Sequence, residues 1–262
     1  EFGNRAVLAR RASAPASLPV LFAEQVARTP DAVALVCGDR SLTYAELDAA
    51  ANRLAHLLAG YGAGPGQSVA LLFSRSAEAV AAMLAVLKTG AAYLPIDPAV
   101  PDTRIEFVLD DARPIAAVTT ADLAERFDGF GLAVIDVNDA AVHTQPIAAM
   151  PAPAPADIAT LIYTSGTTGV PKGVAVTHHN VVQLMSSLDA ALPAAGGVER
   201  VRPGGGREAV RDDRGDVEPG AQHRRHRVPA LVHLATVDPL DGDHVRDDLA
   251  PVDLDRVCGK AQ

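Results

Sequence analysis

Short apolar runs alternate with amphipathic stretches along the chain as far as Leu192. Runs rich in Val, Ile, Leu and Ala, bounded by Gly, Pro or Asp, predict buried strands. The predicted strands cover residues 32–37, 68–73, 91–96, 115–118, 133–137, 158–162 and 174–176. Between them, apolar residues recur at the spacing of a helix that packs on one face. This alternation predicts an α/β fold, with a mostly parallel sheet and helices on both of its faces.

Capping signals mark several of the predicted helix ends. Thr43 and Glu46 have the spacing of a capping box, which predicts a helix that starts between them. Ser76 is placed to cap the next helix, and Gly90 is placed to end it. Asn180 is predicted to cap the last helix.

We assign structural rather than chemical roles to three polar residues. Lys88, in the last turn of a predicted helix, is expected to face solvent and to complement the helix dipole. His178 and His179 are interpreted as edge or loop polarity, because no further ligand is spaced with them for a metal site.

The composition of the chain argues against some classes of protein. The chain has 262 residues, 48% of them hydrophobic, no Trp and a net charge of −9. The negative charge argues against a nucleic-acid partner that is held by bulk electrostatics. No apolar run is long enough for a membrane span, and no signal-peptide pattern is present. Cys37 and Cys258 are far apart, without disulfide or zinc spacing, so a cytoplasmic location is expected.

The composition changes after Leu192. Between Pro193 and Gln262 there is no Phe, Tyr, Trp, Ile, Met, Ser or Asn, while Arg, Asp, Gly, Val, Pro and His are frequent. Such a segment has little apolar surface to offset the entropy of ordering, which predicts a disordered tail. A basic nucleic-acid arm is disfavoured, since Asp and Glu are as frequent there as Arg.

Our hypothesis for this tail is an out-of-frame translation of a GC-rich coding sequence, which would produce this residue bias. Sequencing of the gene across the change in composition tests it, and an unbroken reading frame would contradict it. The domain prediction is a linker at residues 1–17, a folded segment at 18–192 and an aberrant or disordered tail at 193–262.

The most distinctive stretch is residues 163–173, YTSGTTGVPKG, which lies between two predicted strands. It contains three glycines, four Ser or Thr hydroxyls and one lysine. Glycines let backbone N–H groups approach a ligand, hydroxyls add donors, and Lys172 adds a mobile positive charge. We interpret the stretch as a polyphosphate cradle, with an ordinary Gly/Thr-rich hairpin turn as the alternative. It is not a Walker A motif, because Gly166 and Gly169 are too close together and Pro171 precedes the lysine.

Three stretches in the same order resemble core motifs of the adenylation domain of nonribosomal peptide synthetases, within the adenylate-forming (AMP-binding) superfamily. They are residues 42–47 (LTYAEL), 87–97 (LKTGAAYLPID) and 163–173. The resemblance covers residues 18–192 and makes this segment a partial adenylation domain, built from the N-terminal subdomains of an adenylate-forming (ANL-type) fold. The second stretch is more typical of amino-acid-activating members than of acyl-CoA ligases or luciferases.

The resemblance implies an ATP-dependent ligase. An amino acid carboxylate would attack the α-phosphate of ATP, and the aminoacyl group would then pass to the phosphopantetheine thiol of a carrier protein. ATP and Mg²⁺ are the implied cofactors, and the implied partners are the amino acid and neighbouring carrier and condensation domains. The residues implied to hold the phosphates are Thr164, Ser165, Gly166, Thr167, Thr168, Gly169, Lys172 and Gly173.

The later motifs of this family do not occur in the sequence. They include the substrate-pocket motif, the Mg²⁺-associated Glu, the ribose-binding Asp and the C-terminal catalytic Lys. No catalytic residue and no metal ligand is therefore assigned, and the chain is expected to be an incomplete and inactive fragment. The alternatives are a fragment of an acyl- or aryl-CoA-ligase-type adenylating enzyme and a non-catalytic nucleotide- or phosphate-binding remnant.

Overall fold

A computed structural model describes residues 15–164, 171–191 and 252–253. The helices are α1 Leu18–Arg28, α2 Tyr44–Gly60, α3 Ala77–Thr89, α4 Asp102–Ala112, α5 Ala140–His143 and α6 His178–Ala191, with a 3₁₀ helix at Ala121–Phe127. The strands are β1 Val33–Cys37, β2 Arg40–Thr43, β3 Ser68–Leu72, β4 Ala92–Ile96, β5 Ala116–Thr119, β6 Ala133–Asp136, β7 Ile158–Thr164, β8 Lys172–Thr177 and β9 Val252–Asp253.

The main sheet has six strands in the order β6-β5-β3-β4-β7-β8. Its strands pair in parallel from β6 to β7, and β8 runs antiparallel to β7. The predicted mostly parallel α/β sheet is therefore confirmed. A smaller sheet has the order β2-β1-β9, in which β1 and β2 form an antiparallel hairpin and β9 pairs in parallel with β1.

Successive residues of each central strand pack on opposite faces of the main sheet, as the pleat requires. In β3, Val69 and Leu71 pack into one core, while Ala70 and Leu72 pack into another. The first core also contains apolar residues of α1, α2, α3 and α6. The second contains those of α4 and of the 3₁₀ helix. Helices thus cover both faces, which is why these strands are apolar throughout.

Several helix boundaries agree with the capping signals. Thr43 accepts from the backbone N–H of Glu46, and the Glu46 carboxylate accepts from the Thr43 N–H, which completes the predicted capping box of α2. Ser76 caps α3, and Gly90 ends it at φ 86°, in the left-handed region that favours glycine. None of the helices within the described ranges is long and apolar enough to cross a bilayer.

The prediction for the last helix is wrong by one turn. Helix α6 starts at His178, and the residue before it, Thr177, accepts from the Asn180 N–H while the Asn180 side chain accepts from the Thr177 N–H. Asn180 is therefore the inner member of a capping pair rather than the cap itself. The error arises because Asn is itself a preferred N-cap residue, whereas the inner position of a capping box is usually Glu or Gln.

The prediction that Lys88 faces solvent is also wrong. Only 6% of the residue is exposed, and its Nζ donates to Asp48 Oδ1 and to Asn52 Oδ1, each at 2.7 Å. The same Nζ lies 5.6 Å from the centroid of the Phe22 ring, within the range of a cation–π interaction. The lysine thus joins α3 to α2 and α1, which a capping argument based on α3 alone could not reveal.

The extended linker before β7 is attached to α2. Asn52 Nδ2 donates to the Ile147 carbonyl at 2.9 Å, and His56 Nε2 lies 2.9 Å from the Ala148 carbonyl oxygen. Asn52 and His56 are four residues apart and therefore share one face of the helix. The proline-rich segment that follows contains no helix or strand up to β7, as the sequence predicted.

We expect Lys88→Ala to lower the free energy of unfolding by about 2 kcal/mol, because Asp48 and Asn52 would lose a charged donor in a largely dry site. The expected loss is smaller than for a fully buried ion pair, since 23% of the Asp48 side chain is exposed. Urea unfolding followed by circular dichroism measures the change. Arg53→Ala is the matched control, because it removes a cation from the same helical layer without breaking this network. Equal stability of the two variants would contradict the assigned role of Lys88.

Candidate functional site

The predicted phosphate-binding stretch connects β7 to β8 in an antiparallel hairpin. The strands pair continuously from Thr160 with Val176 up to Thr164 with Lys172, which is the last pair before the connection. Because β7 runs parallel to β4, the connection leaves the sheet at the same edge as the loops that follow β3, β4 and β5. Ligands of open α/β sheets bind at this carboxyl edge of the strands.

The described residues include three of the eight predicted site residues. Thr164 ends β7, Lys172 begins β8, and the two are directly opposite each other, both exposed. Gly173 follows Lys172 and is paired with Tyr163. The remaining predicted residues, Ser165, Gly166, Thr167, Thr168 and Gly169, lie outside the described residues. Among the predicted residues that can be placed, Thr164, Lys172 and Gly173 are thus brought together at the base of the connection.

Tyr163 lies at the base of the β7–β8 connection and was not among the predicted site residues. Its hydroxyl donates to Asp111 Oδ2 of α4 at 2.5 Å. Its ring meets the Phe107 ring edge-on, with 6.4 Å between the centroids. Burial, the hydrogen bond to Asp111 and the negative charge of that carboxylate raise the pKa of Tyr163 to about 12. The phenol therefore remains protonated, and able to donate, across the neutral range.

Gly173 lies against the ring of Tyr163. A Cβ at this position would be 3.0 Å from Tyr163 Cζ and 3.2 Å from its hydroxyl oxygen. The hairpin register alone predicts that Tyr163 and Gly173 are neighbours. Close packing of the Tyr163 ring over Gly173 explains why a small residue is needed here even without a ligand. The predicted role of Gly173 in phosphate binding remains a separate prediction.

His178 is fully buried at the start of α6, so its interpretation as edge polarity is wrong. Its Nδ1 accepts from the Leu18 backbone N–H at 3.3 Å, which leaves the ring proton on Nε2. Among the described residues, Nε2 has no hydrogen-bond partner. Burial lowers the pKa of His178 from 6.5 to about 4, against the opposing effect of the Asp157 carboxylate.

The part of the chain that is described shows no metal centre at the hairpin. That part contains no group of three or more His, Cys, Asp or Glu residues that could hold a metal ion. A cavity of about 160 Å³ lies elsewhere, between α2, α3 and α5, where Arg40, Arg53 and Glu78 border an apolar floor. Of the three predicted phosphate-binding residues that the structure describes, Thr164, Lys172 and Gly173, none lines this cavity.

Comparisons with known proteins connect this geometry to a family. The family model for AMP-binding enzymes matches residues 22–203. The isonitrile lipopeptide synthase of Mycobacterium tuberculosis is 60% identical over 195 residues, which are 74% of this chain and 8% of that protein. A dimodular nonribosomal peptide synthase of Bacillus subtilis is 45% identical over 184 residues, 67% of this chain and 8% of that protein.

A crystal structure of the nonribosomal peptide synthetase FmoA3 superposes with a TM-score of 0.64 at 34% identity. The match covers 72% of this chain and 20% of the FmoA3 chain. FmoA3 structures with similar matches include an AMPPNP-bound form and an alpha-methyl-L-serine-AMP-bound form. The chain therefore spans a small part of the length of each of these relatives.

We expect Gly173→Ala to lower the free energy of unfolding by about 1–2 kcal/mol, because Asp111 and Phe107 restrict the movement of the Tyr163 ring away from the new methyl group. Chemical denaturation measures the change. Gly60→Ala is the matched control, since a Cβ there meets nothing within 4 Å, and its effect should stay below about 1 kcal/mol. A Gly173→Ala variant as stable as the parent chain would show that the ring is free to move.

We expect His178 to make the fold less stable in weak acid. The folded pKa of about 4 is below the unfolded value of 6.5, so the unfolded chain binds the proton more readily between these values. This contribution to stability is complete above about pH 6.5 and is lost as the pH falls towards about 4. Between pH 7 and pH 5 the loss should be about 2 kcal/mol.

Unfolding free energies at the two pH values test this for the parent chain, His178→Gln and His179→Gln. The loss should disappear in His178→Gln, which has no imidazole at the buried site, and persist in His179→Gln. An unchanged pH dependence in His178→Gln would assign the effect to other groups.

Proposed function

Since the chain belongs to the AMP-binding enzyme family, as the N-terminal part of a nonribosomal peptide synthetase adenylation domain, we propose that it binds ATP for amino acid activation. In this proposal the β7–β8 connection holds the β- and γ-phosphates. The amino acid is activated as an aminoacyl adenylate, and neighbouring carrier and condensation domains are the partners in the longer protein.

The position of the connection supports this proposal most strongly. Thr164 and Lys172 pair at the end of a hairpin that opens at the carboxyl edge of the parallel sheet. In this proposal, the Ser, Thr and Gly residues between these two positions would supply hydroxyl and backbone donors at that edge. An ordinary hairpin turn needs only a short pair of turn residues and does not call for a series of donors or a lysine.

Each residue type has a definite proposed role. The hydroxyls of Thr164, Ser165, Thr167 and Thr168 would donate to phosphate oxygens, and Gly166 and Gly169 would allow the backbone N–H groups to approach them. Lys172 would add a positive charge from the first residue of β8, where its exposed side chain can reach towards the connection. Gly173 would act indirectly, by accommodating the Tyr163 ring.

These donors match the chemistry of adenylate formation. When the amino acid carboxylate attacks the α-phosphate, negative charge builds up on the departing pyrophosphate. Donors that are already held in place stabilise that charge at little cost in reorganisation. Mg²⁺, bound to the phosphate oxygens, would neutralise part of the same charge.

The chain is proposed to perform only part of this reaction. It spans 8% of the Mycobacterium tuberculosis relative, and its sequence contains no match to the later motifs named above. The proposed division is a linker at 1–17, a partial adenylation domain at 18–192 and a tail at 193–262, of which residues 1–14 and all of the tail except 252–253 lie outside the described residues. Transfer of the aminoacyl group to phosphopantetheine is accordingly proposed for the longer protein.

We expect the purified 262-residue chain to bind MgATP, and Lys172→Ala to weaken that binding about tenfold, as for the loss of one charge-assisted contact. Isothermal titration calorimetry measures both affinities, and Arg53→Ala serves as the control for loss of a cation. Equal affinity in Lys172→Ala and the parent chain would contradict the assigned role of the lysine.

The same preparation should show no amino-acid-dependent exchange of pyrophosphate into ATP. Exchange above background would refute the proposal that the chain alone is inactive. If the parent chain fails to bind MgATP at all, the connection is not a phosphate site in this chain.

A further inference from the structure

The last residues of β7 lie beyond the pair that joins this strand to β4, although Leu161 and Tyr163 pack against the second core. Strand β7 pairs with β4 through Tyr93 and Thr160, and within the described residues its later positions pair only with β8. Strand β8 is the edge strand of the sheet, and its first four residues are exposed. Hydrogen bonds of the hairpin therefore hold its two strands to each other, but they do not hold the end of the hairpin to the rest of the fold.

A side-chain hydrogen bond also attaches this end of β7 to a helix. Tyr163, the residue before Thr164, reaches across to α4 and donates to Asp111, which is 52 residues earlier in the chain. Phe107, one turn before Asp111 on the same helix, packs edge-on against the ring. The ring also lies against Gly173 of β8, so a single side chain contacts β8 as well as α4.

We propose that Asp111 is a positioning residue for ATP binding, which acts through Tyr163 to hold Thr164 and Lys172 in register with the carboxyl edge of the sheet. This inference rests on the proposed function. A phosphate site gains affinity when its donors are held in place before the ligand arrives. Asp111 itself is not a phosphate ligand in this proposal, because its negative charge would repel the phosphate oxygens.

The test compares variants of both partners in the 262-residue chain. Asp111→Ala and Tyr163→Phe each remove the hydrogen bond, whereas Asp111→Asn retains an acceptor oxygen. Asp110→Ala is the matched control for the acid, as it is the adjacent exposed carboxylate of α4. Tyr61→Phe is the control for the phenol, since 51% of Tyr61 is exposed.

We expect Asp111→Ala and Tyr163→Phe each to weaken MgATP binding about fivefold in calorimetric titrations. The affinity of Asp111→Asn for MgATP should be closer to that of the parent chain. The double variant should also lose about fivefold rather than about 25-fold, because both changes break one hydrogen bond. Additive losses would mean that the two residues act separately, and unchanged affinity in the single variants would overturn the proposal.

A second measurement needs no nucleotide. Trypsin cleavage after Lys172, followed by mass spectrometry, reports how often the start of β8 opens. We expect this cleavage to be several-fold faster in Asp111→Ala and Tyr163→Phe than in the parent chain and both controls. If MgATP does not bind even the parent chain, the proposed function fails. In that case the cleavage rates still test whether Asp111 positions the hairpin through Tyr163, and equal rates in all variants would refute this role.

Discussion

The buried ammonium group of Lys88 constrains how the helical layer packs. A charge withdrawn from water is costly unless hydrogen bonds and an opposite charge compensate it. Asp48 and Asn52 of α2 provide that compensation, and the Phe22 ring of α1 lies beside the same group. Helices α2 and α3 are therefore held in one relative arrangement, because a shift between them would separate the ammonium group from both of its acceptors. The Phe22 ring adds a weaker contact from α1.

The same network reaches the chain that leads into the candidate site. Asn52 accepts from Lys88 with its side-chain oxygen and donates with its nitrogen to the Ile147 carbonyl. His56, one turn later, lies close to the Ala148 carbonyl. The helical layer thus holds the linker before β7 on one face of the sheet, while α4 contacts Tyr163 at the other end of that strand through Asp111. Strand β7 is attached at both ends by side chains rather than only by its sheet neighbours.

The local signals in the sequence were the most reliable guides to the fold. Apolar periodicity located the strands of the main sheet, and the capping box at Thr43 and the glycine at Gly90 marked helix ends, because these signals depend on residues close together in the chain. Strand β2, by contrast, was not predicted, since its four residues carry no alternating apolar pattern. The predictions for Lys88 and His178 were wrong because the residues that contact these side chains belong to other helices of the fold.

The sequence by itself determined the alternation of strands and helices, the family and the chemical character of residues 163–173. These are properties of contiguous residues, which the chain carries before it folds. Only the tertiary structure decided that Tyr163 meets Asp111, that Lys88 is buried and that an imidazole lies in the dry core at His178. The physical reason is that each of these environments is made by helices packed on a sheet, and no local spacing specifies which distant side chains that packing brings together.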